Sequence, residues 1–371
     1  MAFINHLEIT NFRGIQKLDI SGFADINLIV GDNNSGKTTF LEAIQLLFTK
    51  ARLSAVKKVI SQRTVLNPNS NFYTSFIKMF NKEQKAEELY TEIYADSNIG
   101  QLLFEMHGCE KSVSGEDALR ISSMTAREKS LYERSSKLIP ETAKVFQGRI
   151  ISQEGEKVLE KEIHCTSLTD RVLNFVEKKE VQYIPSFGHL RYDLLQNIVA
   201  NPEYKKLAID ILRQFDDTIE DICYTKADDG TFLESIITHD GAIMPFSVYG
   251  DGIKKILFIL NRLFDAADKI ILIDEIETGL HKKYYETLFP VIFALARQLN
   301  VQLFIATHSI EAIDAILRYG NYEKNGGNSD PIKVITLKKI SVSNGSNIVA
   351  RNVPGKYVFD NRKVFKYEVR L

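Results

Sequence analysis

Two glycines, a lysine and a hydroxyl stand at fixed spacing in Gly31-Asp32-Asn33-Asn34-Ser35-Gly36-Lys37-Thr38, a full match to G-x-x-x-x-G-K-[ST]. The chemistry of such a loop is phosphate binding. Its glycines let backbone N–H groups approach phosphate oxygens, and a helix starting behind it adds the positive end of a dipole. Lys37 is placed to reach the β- and γ-phosphates, Thr38 to ligate Mg²⁺, and Thr39 extends the binding set. A second group is Asp274-Glu275, delivered by the apolar run 270–273. Asp274 is expected to hold Mg²⁺, and Glu275 to orient and deprotonate an attacking water. A third is His308, at the end of the apolar run 301–306, which can hydrogen-bond a γ-phosphate or that water. A fourth is Gly250-Asp251-Gly252 with Lys254, glycines and a lysine at a helix start, again a phosphate-binding surface.

These groups need elements to hold them. Segments 3–10 and 16–20 alternate apolar and polar residues and predict strands. Segment 26–30, mostly apolar, predicts a buried strand feeding the glycine loop. Phe40, Ile44, Leu47 and Phe48 fall at helical spacing behind the loop. Segment 88–107 predicts two strands about a turn at 96–100. Segment 110–160 is polar and without clear period, which predicts an elaborated, partly mobile insertion. A short strand is expected at 180–185, and helices at 190–220, 253–264 and 283–299. Buried strands at 269–273 and 301–306 carry the acidic pair and the histidine. The tail 332–371 reads as strand-like. Phe72, Phe76 and Phe80, four apart, predict a helix face packed on a core or partner.

Lysine 37 and the acidic pair at 274 are far apart in the chain, whereas compact P-loop kinases and GTPases hold the two motifs much closer. A wide gap, a glycine-lysine motif before the acidic strand and a histidine after it is the order of ABC-type ATPase heads. The sequence resembles the ABC-like ATPases of the SMC and OLD (overcoming lysogenization defect) families. The opening Leu7-Glu-Ile-Thr-Asn11-Phe12-Arg13-Gly14 looks like their first strand, Asp274-Glu-Ile-Glu277-Thr-Gly-Leu280-His281 like the OLD-type Walker B and D-loop, and Tyr367-Glu-Val-Arg370 like the end of small OLD-related ATPases.

The resemblance implies an α/β fold: one ABC-type P-loop head over 1–371, with a mixed central sheet, an antiparallel β subdomain and an inserted helical subdomain. The inserted or elaborated region spans about 50–180, and the signature, Walker B and histidine lobe 245–312. It implies ATP and Mg²⁺ as ligands and a homo-oligomer, at least a dimer, with ATP bound between subunits. Gly250, Asp251, Gly252 and Lys254 would then act in trans, and Arg13 would lie near the nucleotide. Two features depart from the pattern. Gly250 stands where ABC proteins carry the signature serine, and no Q-loop glutamine is evident, with Gln147 and Gln182 as candidates. The acids after His308 form no DxD pair, so a Toprim nuclease is not expected in this chain. Stand-alone relatives of this kind work beside a separate effector, such as a Toprim or HNH nuclease in anti-phage defence. The alternative is an SMC-like DNA-repair or recombination ATPase that binds DNA directly.

Composition narrows the rest. Charged residues are 26% and hydrophobic residues 44% of the chain, with a net charge of −1, so nucleic acid would have to be met by local patches. Two such patches exist: 43–82, which lacks any Asp or Glu, and the basic tail 332–371. They read either as solvated lysines or as a surface for a phosphodiester backbone. Cys109, Cys165 and Cys223 are isolated and fit a reducing compartment. No apolar run reaches the roughly 18 residues of a membrane helix, so no membrane partner and a cytoplasmic location are expected.

Overall fold

The structure, a computed structural model, describes residues 3–62, 72–122, 129, 140–168, 180–190, 193–322, 330–342 and 345–365. In chain order its elements begin with β1 (Ile4–Phe12), β2 (Ile15–Ser21), β3 (Ile26–Val30), α1 (Lys37–Leu47), α2 (Leu53–Ser61) and α3 (Phe72–Ile77). Then come β4 (Leu89–Ser97), β5 (Gly100–Ser114), α4 (Gly115–Ile121), β6 (Thr142–Glu154), β7 (Lys157–Thr166) and β8 (Val181–Ile184). The middle holds α5 (Gln196–Val199), α6 (Pro202–Leu212), β9 (Ile219–Lys226), β10 (Phe232–Thr238) and β11 (Ile243–Pro245). The chain continues through α7 (Asp251–Phe264), β12 (Ile270–Ile273), α8 (Tyr285–Gln298), β13 (Gln302–Ala306) and α9 (Ile310–Tyr319), and closes with β14 (Ile332–Val342), β15 (Gly345–Pro354) and α10 (Gly355–Phe365).

The central sheet runs β15-β14-β3-β13-β12-β8. Its four pairings from β14 to β8 are parallel, and β15 is an antiparallel edge. A parallel sheet must be covered on both faces, and the period of two divides its side chains accordingly. Leu28, Val30, Ile271, Ile273, Leu303 and Ile305 enter a core shared with α7, α8 and α9. Ile29, Ile270, Leu272, Phe304 and Ala306 face the other way, into a core with α1 and the second sheet. Each such fully buried side chain contributes roughly 1.5–3 kcal/mol of transfer free energy. The second sheet is antiparallel, β2-β1-β4-β5-β6-β7, and a third, smaller one is β11-β10-β9. The fold is therefore α/β with a mixed central sheet and antiparallel additions.

Two segments differ from the sequence reading. Region 110–160 carries long strands: β5 pairs with β6 from Leu102 opposite Glu154 to Ser114 opposite Thr142, and β6 with β7. In β7 residues 157–162 are largely exposed on both faces, so polar residues replace the alternation a strand normally shows, whereas β6 buries Val145, Phe146 and Ile150. In the expected insertion 50–180 the described helices are short and β4 to β7 predominate. The tail is not all strand, since 355–365 is helix α10. Val358 is fully buried there, the ring of Phe359 meets Tyr322, and Arg362 pairs with Asp314 of α9. The matched tail residues Tyr367–Arg370 lie outside the described residues. Phe72, Phe76 and Phe80 all enter the second core, Phe76 and Phe80 against Phe146, but only Phe72 and Phe76 share a helix face, since α3 ends at Ile77 and Phe80 bridges to Phe12. Among the described residues no helix is long and apolar enough to cross a membrane.

Candidate functional site

Strands β3, β12, β13 and β8 are parallel, so the loops after all four emerge at one edge of the sheet, where open α/β sheets place their ligands. The loop after β3 is the glycine loop. Gly31 has φ +148, and a Cβ there would lie 2.4 Å from the Leu337 carbonyl oxygen. Asn34 (φ 64) and Gly36 (φ 100) also take positive φ, which folds residues 31–36 back over the start of α1. No side chain caps α1, leaving its first N–H groups to a ligand. Asp32, Asn33 and Asn34 are exposed, while Ser35, Lys37 and Thr39 are buried. The Ser35 hydroxyl is buried without a hydrogen-bond partner among the described residues. Lys37 donates from Nζ to the carbonyls of Gly31 (2.8 Å) and Asp32 (2.9 Å). Burial pulls the Lys37 pKa below its ordinary value, against Asp274, Glu275, Glu277 and Asp32.

The acidic pair comes to the same place. Thr38 donates from its hydroxyl to Asp274 Oδ2 at 2.9 Å, closing a gap of 236 positions in sequence. Tyr183 of β8 donates to the same oxygen at 3.0 Å. Asp274 is only 7% exposed, so its carboxylate is held by these donors rather than by water. Glu275 follows in a left-handed conformation (φ 49), a backbone strain that turns its side chain out of the strand line. Thr278 reaches its Oε2 at 3.3 Å. His308 stands beside it, with Nδ1 4.0 Å from Glu275 Oε1 and 3.1 Å from Glu277 Oε1.

Arg13 sits in the β1–β2 turn with φ 53. Its backbone N–H donates to the Met79 carbonyl, and its carbonyl accepts from Asn81 Nδ2. Its guanidinium pairs at 2.8 Å with Glu42 of α1, a side chain 1% exposed. Arg13, residues 33–39, Asp274 and Glu275 line one cleft of about 790 Å³, which extends to Lys78, Lys82 and Gln84. Gly250, Asp251, Gly252 and Lys254 do not line it. They open α7, where Gly252 approaches the Gly279 carbonyl and Lys254 lies 3.7 Å from Asp251.

Sequence reasoning missed several residues. Tyr183 takes the acidic strand's neighbour position where a Q-loop was sought. Gln182 points away, donating to Asp265 of the loop after α7, and Gln147 lies in the β6 ribbon. Lys255, not Lys254, is the inward lysine: it is fully buried and donates to the Ser186 carbonyl at 2.9 Å. His189, 3% exposed, packs under Gly279. Alternation in β8 carries a signal for Tyr183, but only once β8 is known to lie beside β12. The basic segments are partly occupied with acids: Lys50 with Glu180, Lys82 with Glu83, Lys356 with Asp360 and Arg362 with Asp314. Arg63 of the acid-free segment lies outside the described residues.

The donor set fits a nucleoside triphosphate with a divalent cation. The loop has no room for a Cβ at Gly31, a buried hydroxyl and ammonium face inward, and Thr38 and Asp274 supply the hard oxygen ligands that Mg²⁺ prefers. A family profile described as “AAA ATPase domain” matches residues 3–183. Another, described as “AAA domain, putative AbiEii toxin, Type IV TA system”, matches residues 157–314. In these two stretches the chain is similar to AAA-type ATPase domains. An “ATP/GTP phosphatase” of Helicobacter pylori is 24% identical over 335 residues, 85% of this chain and 88% of that protein. The “DNA replication and repair protein RecF” of a Shewanella species is 32% identical over 121 residues, 32% of this chain and 29% of RecF. The SMC head domain from Pyrococcus furiosus, solved with the C-terminal domain of ScpA, aligns over 99% of this chain and 100% of that one with 13% identity and a TM-score of 0.46.

Proposed function

We propose that the protein is an Mg²⁺-dependent ATPase of the ABC type and OLD-like kind. Its subunits pair around ATP, and the bound nucleotide controls a partner effector. The observation that carries the hydrolytic reading is the meeting of Thr38 with Asp274 at 2.9 Å beneath the glycine loop, with Glu275 and His308 alongside. Lys37 and the loop N–H groups hold the β- and γ-phosphates, and Arg13 stands at the cleft wall. Thr38 and Asp274 would hold Mg²⁺, which when bound would neutralise phosphate charge. Glu275 accepts a proton from water as its oxygen bonds to the γ-phosphorus. The bond from that phosphorus to the β–γ bridging oxygen breaks, leaving ADP and phosphate. His308 accepts a hydrogen bond from that attacking water. Gly250, Asp251, Gly252 and Lys254, away from the cleft of their own chain, serve the cleft of a second copy.

The resemblance to stand-alone OLD-like ATPases and the toxin-system wording of one matching profile support an effector, such as a Toprim or HNH nuclease, in phage defence. The stretch shared with RecF supports the second reading, a DNA-repair ATPase that contacts DNA itself. One experiment tests the core: Glu275→Gln binds ATP, turns over at least about 100-fold more slowly and accumulates a nucleotide-bridged dimer seen by light scattering. Wild-type turnover in the variant, or one mass in every nucleotide state, would sink it. DNA-stimulated, salt-sensitive hydrolysis would favour the repair reading.

A further inference from the structure

Glu277 lies outside the hydrolytic roles above, yet its carboxylate is the most heavily used in the loop. Its side chain is 9% exposed. Oε1 accepts the backbone N–H of His308 at 3.0 Å and of Ser309 at 3.2 Å. His308 Nδ1 lies 3.1 Å from that same oxygen. Oε2 is buried and has no hydrogen-bond partner among the described residues. Of the carboxylates that act on the buried Lys255 ammonium, Glu277 acts most strongly. The turn after β12 thus grips the turn after β13 through one side chain.

A carboxylate only accepts, so a ring nitrogen 3.1 Å from it carries the proton. That fixes the imidazole as the Nδ1–H form and makes Nε2 the reactive nitrogen. Many catalytic histidines are oriented by an acid in this way. We propose that Glu277 is a positioning residue that acts through His308: it sets the ring's tautomer and aims Nε2, as a hydrogen-bond acceptor, at the attacking water. This rests on the hydrolytic reading above for its consequence, though not for its geometry. The backbone contacts alone do not need a charge. A glutamine at 277 still offers a carbonyl oxygen to the His308 and Ser309 N–H groups, but its amide can equally donate to Nδ1 and release the tautomer. Glu277→Gln therefore separates bracing of the loop from orientation of the ring.

The test uses the full chain. Nitrogen NMR of histidine-labelled protein, at a pH where the ring is neutral and with His308→Gln to assign the signal, reads the tautomer directly. The Nδ1–H form is expected in the wild type and a shift toward Nε2–H in Glu277→Gln. In steady-state Mg²⁺-ATP hydrolysis, Glu277→Gln should lower kcat about 10- to 100-fold, with KM within about twofold. On a His308→Ala background the same change should cost nothing more. Glu277→Asp, which keeps the charge, should recover part of kcat, and it remains informative if the glutamine variant fails to fold. Unchanged kcat in Glu277→Gln, equal losses on both backgrounds, or an Nε2–H ring in the wild type would overturn the proposal. A wild-type chain that hydrolyses no nucleotide would instead overturn the hydrolytic reading, and the ring spectrum would still decide for or against the Glu277–His308 pair.

Discussion

Replacing Lys255 by methionine should change how stability depends on pH. The Lys255 side chain is fully buried and its ammonium donates to the Ser186 carbonyl. Desolvation outweighs the attraction of Glu277, Asp274 and Glu275, so its pKa falls from 10.5 to about 8. Its neighbour His189 is pushed down to about 4, by burial first and then by the Lys255 charge. The unfolded chain keeps an ordinary lysine. Between the two pKa values the unfolded state holds the proton and the folded state does not, so Lys255 makes stability rise with pH across that window. Below about pH 8 both states are protonated, and the penalty for the buried charge is present in full. At 1.36 kcal/mol per tenfold change in proton affinity, the rise amounts to about 3 kcal/mol. Methionine fills similar volume and binds no proton. Urea unfolding of both proteins from about pH 7 to about pH 10.5 supplies the measurement. Every other titrating group is common to both proteins and cancels when one curve is subtracted from the other. The stability of Lys255→Met relative to wild type should fall by about 3 kcal/mol over that range. Parallel curves would mean that Lys255 is solvated, and the account of the turn beneath the acidic pair would fail.

Two further outcomes follow from the site's supports. Tyr183→Phe removes one of two hydroxyl donors to Asp274 Oδ2, so the Mg²⁺ concentration for half-maximal hydrolysis should rise about tenfold, while metal-free nucleotide binding, followed by fluorescence, stays as it was. Glu42→Ala takes the carboxylate from a guanidinium only 12% exposed, and chemical denaturation should show a loss of about 3–5 kcal/mol; a loss below about 1 kcal/mol would show that Arg13 does not depend on this pair.

The groups proposed to bind phosphate were legible because their chemistry is local. The glycine loop needs its neighbours in sequence, and the strand before it and helix behind it are also local, so residues 26–47 read correctly from pattern alone. The same holds for Asp274-Glu275 and His308, which follow short, mostly apolar runs of the kind a buried parallel strand shows. What could not be read was the support around them. Tyr183, Glu42 and Lys255 matter through partners 91, 29 and 69 positions away, and those distances exist only once strand order is known. Sequence gave no reason to set β8 beside β12, and without that neighbour Tyr183 is one more half-buried aromatic. The outer ribbon failed for a different reason. The exposed stretch 157–162 of β7 is held by its backbone ladder and cross-strand pairs, for instance Arg149 with Glu160. A strand wetted on both faces leaves no apolar alternation behind. Lys255 combines both difficulties: a buried lysine violates the pattern that marks α7 as amphipathic. Local rules tend to break where a site asks for something a core would not choose, and here the buried lysine ties α7 to the turn after β8 through the Ser186 carbonyl.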